Sequence, residues 1–141
     1  MQVEIEDIVA FTVPLTPISV NHHTRPVKYI GRDGYLREGR KLTKEAKAYY
    51  DAVTIFARNR TITPATDAER RLVQYEVTAH VYLGKGQRLD ADNCGKQICD
   101  SLVRAGVIHS DARVSKSTIC LHKEDRENPR TEFLVTRVTK I

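Results

Sequence analysis

Asp90, Asp92, Lys96 and Asp111 lie together in the stretch RLDADNCGKQICDSLVRAGVIHSDARV, from Arg88 to Val114. Carboxylates are hard oxygen ligands. Two or three of them can hold Mg²⁺, which keeps waters and open positions that phosphate oxygens can take. An ammonium group beside such an ion can stabilise charge developing on a phosphate, or orient the attacking water. These residue types would suit metal-dependent phosphodiester chemistry.

Two other readings use the same acids. In a calcium-binding helix-loop-helix counted from Asp90, loop positions 1, 3 and 6 would be Asp90, Asp92 and Gly95, but positions 5 and 12, which need oxygen ligands, are Cys94 and Ser101. No helix is expected before the loop either, so the calcium reading fits poorly. Helix capping fits Asp92, whose carboxylate would also favour the helix dipole. Capping needs one acid and leaves Asp90 and Asp111 without a role. The catalytic reading uses all three. Asp90 and Asp92 would straddle a strand end and point the same way, and a short return after the next helix would bring Asp111 to the same edge. Lys96 falls one helical turn after Asp92, on the same face. Asp100, a turn further on, either pairs with Lys96 or is an ordinary exposed acid.

The elements around this stretch have clear signatures. EIEDIVAFTVPL alternates apolar and polar residues and reads as a strand over about 3–13. A long loop follows from Pro14, with a short hairpin expected at KYIGRDGYL. LTKEAKAYYDAVTIFARN reads as a helix capped by Thr43. RLVQYEVTAHVYL is a strand with Val73, Tyr75, Val77, Ala79 and Val81 on one face and His80, an ordinary surface histidine by position, on the other. The next helix is expected to start at Asp92, to bury Cys94, Ile98, Leu102 and Ala105, and to end at Gly106. VSKSTICLHK and RTEFLVTRV close the chain as two strands. This order predicts an α/β (α+β) fold: one small domain over 1–141, with a mixed sheet of about four strands and two main helices packed on it.

Charge is uneven. Residues 14–60 hold ten Lys or Arg and four acids, while the whole chain carries +5. A basic segment in an otherwise balanced chain suits a polyanionic partner, most often nucleic acid. Arg37, Arg40, Lys41 and Lys44 are its central cations, and Lys85 and Arg88 add a basic turn just before Asp90. The three cysteines have no disulfide or zinc-finger spacing. No leader pattern and no run of about 20 apolar residues is present, so an intracellular protein with no membrane partner is expected.

The motif D-x-D-N-x-x-K-x-x-x-D-x-L, here Asp90, Asp92, Asn93, Lys96, Asp100 and Leu102, resembles the RusA family of Holliday junction resolvases. PISVNHHTR is similar to that family's P-x-S-x-N segment, with Asn21 as its asparagine. YLREGRKLTKEAKAYYDAV is similar to its lysine-rich lead into the first helix. The departures are Ser110 beside Asp111 in place of an acidic pair, Ala91 in place of a commoner Leu, and Gly95 in the first helical turn. The resemblance implies an endodeoxyribonuclease of bacterial or phage origin, cytoplasmic, acting on four-way DNA junctions as a homodimer with Mg²⁺ or Mn²⁺. It makes Asp90, Asp92 and Asp111 the metal-binding acids and Lys96 the essential lysine. Asn93 and Asp100 would support them, and Asn21 would join the DNA-binding cations. Two other classes also fit the residues: a non-catalytic DNA-binding module, and a metal nuclease for another branched or single-stranded nucleic acid.

Overall fold

The computed structural model describes residues 3–19, 22–60, 62 and 66–140. Along the chain these form β1 (Val3–Val13), β2 (Thr24–Ile30), β3 (Leu36–Leu42), α1 (Lys44–Phe56), α2 (Asp67–Arg70), β4 (Val73–Tyr82), α3 (Ala91–Arg104), β5 (Val114–His122) and β6 (Arg130–Lys140). Four strands make one mixed sheet in the order β1-β6-β4-β5. β6 runs antiparallel to β1 and β4, and β5 runs parallel to β4. A parallel pair needs a crossover, and α3 supplies it.

One face of this sheet makes the core. Val73, Tyr75, Val77, Ala79 and Val81 of β4 are buried, as the alternation predicts, and Phe133 of β6 stacks on Phe11 of β1 with ring centroids 4.8 Å apart. α1 contributes Tyr49, Val53 and Ala57 to the same cluster, and α3 contributes Cys94, Ile98 and Leu102. Thr43 caps α1 by accepting from the Ala46 amide at 3.3 Å. Gly106, at φ 77°, follows α3 in the left-handed conformation that glycine tolerates without strain.

Three features differ from the sequence expectations. The hairpin is far longer than KYIGRDGYL: β2 and β3 pair in register from Thr24↔Leu42 to Ile30↔Leu36, and they form a separate two-stranded sheet. Most of its residues are exposed, so the burial that creates a period-2 hydrophobic pattern is absent. α3 begins at Ala91 with Asp90 in the N-cap position, and the Asp90 side chain makes no cap bond. Asp92 therefore stands in the first turn rather than capping it. His80 is half-buried, with Nδ1 2.8 Å from Nε2 of His122. The parallel pairing of β4 with β5, which sets Tyr82 opposite His122, brings these distant residues together.

A buried side chain fastens the loop after β1. Gln97 on α3 accepts from the Ile18 amide at 2.6 Å and donates to the Ile18 carbonyl at 3.2 Å. Both hydrogen-bonding ends of that side chain are thereby satisfied, which removes most of the cost of burying it.

Candidate active site

α3 positions the central motif. Its apolar stripe faces the sheet, which turns the row Asp92, Lys96, Asp100 toward the opposite flank at successive i,i+4 steps. Asp92 and Lys96 are exposed and Asp100 is half-buried. Among the described residues Asp90, Asp92 and Lys96 have no ion-pair partner. Lys96 is not paired with Asp100, whose carboxylate instead faces the hydroxyl of Tyr50 on α1 at 3.5 Å. Tyr50 also meets His23 Nε2 at 2.8 Å and lies under the Arg104 guanidinium. Burial, followed by the neighbouring Asp100 charge, pushes the Tyr50 hydroxyl up to about 12, so it stays a proton donor at neutral pH. Burial, partly offset by Asp100, lowers the pKa of His23.

Asp90 stands just before α3, between two hollows. Gly86, Gln87, Arg88, Leu89, Lys123 and Arg126 line one with it; Ser19, Arg88 and Asn93 line the other. Asn93 lies back over Asp90, Nδ2 to Oδ2 at 3.4 Å. Three cations around one carboxylate make a surface that can admit a phosphate without expelling the acid.

Asp111 lies in a turn that packs against α3. It opens a 3-10 turn, Asp111–Arg113, in which Ser110 accepts from the Ala112 amide at 3.2 Å. Arg113 is tied to the carbonyls of Arg70 and Arg71. Burial raises the pKa of the Cys99 thiol most, a bond to Ser117 lowers it, and the charges of Asp111 and Asp100 both raise it. Asp90 has the corresponding effect on Cys94, behind burial. Asp90 and Asp92 stand at the start of α3, and Asp111 opens the turn that leads into β5. Among the described residues no three His, Cys, Asp or Glu form a group that could hold a metal ion.

The DNA-binding candidates fall in two places. Arg37, Arg40 and Lys41 lie on β3 and Lys44 opens α1, all exposed. Arg37 is paired with Asp33, and Arg40 donates to Thr24 Oγ1 at 2.8 Å. Arg88 is exposed beside Asp90, whereas Lys85 is paired with Glu127 at 2.5 Å. Asn21 lies outside the described residues. Sequence reasoning missed Lys123 and Arg126, because only the β4–β5 pairing carries the turn after β5 to the hollow at Asp90. It also missed Gln97 and Tyr50, whose partners are distant in the chain.

Exposed carboxylates and an ammonium on one flank of α3, without ion-pair partners among the described residues, are the residue types that metal-dependent phosphodiester chemistry uses. The family model for endodeoxyribonuclease RusA matches residues 27–136 of the 141, and the chain belongs to that family. It is an endodeoxyribonuclease family, associated with Holliday junction resolution and DNA recombination. No curated protein matches the chain.

Proposed function

We propose that this protein resolves four-way DNA junctions by paired symmetric nicks that depend on a divalent metal, with Asp90, Asp92, Lys96 and Asp111 at the reacting phosphate. The observation that carries the reading is the exposed Asp92–Lys96 row beside the cation-lined hollow that holds Asp90. Asp90 and Asp92 are hard oxygen donors with no ion-pair partner among the described residues. Mg²⁺ is commonly bound through one or two carboxylates plus substrate phosphates, so this pair fits it, and Mn²⁺ would serve similarly. The ion, when bound, supplies Lewis-acid stabilisation and a more acidic water. Asp111 is assigned to the same centre.

The chain's own residues do the rest. Lys96 presents its ammonium to the scissile phosphate, where a charge close to the transition state counts most. Arg88, Lys123 and Arg126 hold flanking phosphates, and Asn93 steadies Asp90. Tyr50 holds Asp100 away from Lys96, which leaves that lysine free for substrate. Arg37, Arg40, Lys41 and Lys44 bind the arms of the junction, and Asn21 is assigned to the same task. Two symmetric nicks need two sites, which a C2 homodimer would set on a two-fold symmetric substrate.

The test is incubation with a labelled synthetic four-way junction, a matched linear duplex and a flap, each with and without Mg²⁺. Paired nicks in the junction alone, only with metal, are expected. Binding without cleavage would make the protein a non-catalytic DNA-binding module. Preferential cutting of the flap would make it a nuclease for another branched substrate.

A further inference from the structure

The tip of the β2–β3 ribbon exposes apolar side chains that the fold does not use. Ile30 is 72% exposed, Tyr35 73% and Leu36 67%. Ile30 and Leu36 face each other as the last pair of the ribbon, and Tyr35 lies in the turn beside them. Large apolar groups gathered at one exposed point mark a contact surface more often than groups scattered singly. Tyr29, also at this end, has a local role: its ring lies over Gly39, so close that a Cβ there would come within 3.1 Å of it.

The tip is also rigid. The Gly31 amide donates to the Tyr35 carbonyl at 2.9 Å and the Gly34 amide to the Gly31 carbonyl at 3.0 Å. Tyr35 donates its amide to Asp33 at 3.1 Å, and Arg37 pairs with the same carboxylate. The root is fastened to the start of α1: Thr43 donates its amide to the His23 carbonyl at 3.0 Å and its hydroxyl to His22 at 2.8 Å. Between root and tip each strand runs seven residues, about 20 Å of extended chain. The two strands pack chiefly on each other. The result is a stiff projecting arm.

Its charge selects the partner. Arg25, Lys28, Arg32, Arg37, Arg40 and Lys41 outnumber Asp33 and Glu38. A second copy's arm would repel it, whereas a DNA backbone would attract it. A two-stranded ribbon fits the major groove of DNA, and apolar side chains on DNA-binding proteins can enter between base steps.

We infer that the arm is a branch-point wedge: Ile30, Leu36 and Tyr35 enter the base stack of a DNA junction where the strands exchange, while the arm's cations hold the flanking phosphates. The inference rests on the proposed junction binding and adds the element that selects a branch. Opening a continuous stack costs a few kcal/mol per step. At a strand exchange the stack is already interrupted, so the same apolar tip favours branched over linear DNA.

The test uses a four-way junction with 2-aminopurine beside the branch point, in EDTA so that no strand is cut. Wild-type protein is compared with the Ile30→Ser/Leu36→Ser double variant and with Ile30→Val/Leu36→Met, which keeps the tip apolar. Wild type and the apolar variant should raise the fluorescence on binding. The serine variant should lose that rise, and its preference for junction over duplex should fall about tenfold, in line with the loss of one or two base contacts. Its duplex affinity and circular dichroism should match wild type, because Ile30 and Leu36 are largely exposed. An unchanged signal or preference in the serine variant would overturn the wedge. Wild-type binding with no fluorescence rise would overturn it too, leaving junction cleavage standing. No wild-type preference for the junction would overturn both. A serine variant that sediments as a smaller species than wild type would make the tip a contact between copies instead.

Discussion

The flank of α3 and the β2–β3 ribbon are both exposed and both charged, yet they are held in opposite ways. α3 rests on Cys94, Ile98, Ser101 and Leu102, all fully buried, and is tied to the loop after β1 through Gln97. The ribbon buries none of its residues and is stiffened by its own ladder, its turn and the bonds at Thr43. Chemistry on a phosphate tolerates little misplacement, so its groups belong on an element that cannot shift. Contact with a long flexible polyanion tolerates more and gains from reach. One region is built for precision and the other for coverage, and they are joined where His23 at the ribbon's root meets Tyr50, which in turn faces Asp100 on α3.

The comparison breaks most sharply on α3 itself, whose two faces should respond differently. Ile98→Ala removes a fully buried side chain and should lower unfolding stability by about 2–5 kcal/mol, read by denaturant titration. Lys96→Ala on the exposed face should leave stability unchanged and reduce junction cleavage about 100-fold, read in a single-turnover assay. A Lys96 variant that cuts at the wild-type rate would make that side chain a solvated surface group.

The ribbon should fail in a different coordinate. Replacing Arg37, Arg40 and Lys41 together with Gln removes cations that displace counterions from DNA. Each lost phosphate contact should flatten the plot of log affinity against log salt by about 0.9, so the triple variant should lose roughly two to three units of slope. Once its weaker binding is saturated, cleavage should proceed at the wild-type rate. A lower rate at saturation would mean that the ribbon takes part in the chemical step.

The smallest expected effect lies at the joint. Tyr50→Phe removes the hydroxyl between His23 and Asp100 and should cost about 1 kcal/mol of stability. Asp100 would then be free to pair with Lys96, so a modest fall in cleavage with unchanged DNA binding should accompany it.

These regions were unequally legible in the sequence. The stripe of α3, the cap at Thr43 and the alternation of β4 could be read because burial writes a period into the residues it touches. The ribbon hid its length because both its faces meet solvent, and only its charge showed. Asp90, Asp92 and Lys96 were recognisable by spacing, but a strand end was the wrong setting for the first two, which belong to the start of a helix. Asp111 was legible as an acid in the turn between the helix and the next strand, but its distance from the other acids was not. That distance depends on how the chain turns after Gly106 and on where Arg113 is tied, and both are tertiary facts. His80 showed the same limit, since its neighbour His122 comes to it only through parallel pairing across the crossover.

Asp92→Asn tests the division of labour most directly. The variant keeps the shape of the α3 flank and removes one charge. It should bind a labelled four-way junction without metal as tightly as wild type or more tightly, because a negative charge facing phosphate is gone. In Mg²⁺ its cleavage should fall by at least about 100-fold, since a metal-binding carboxylate is lost. Asp90→Asn and Asp111→Asn should behave alike if all three acids serve one centre. Wild-type cleavage by Asp92→Asn would contradict the account and leave the acids of α3 as helix-dipole partners and surface charge.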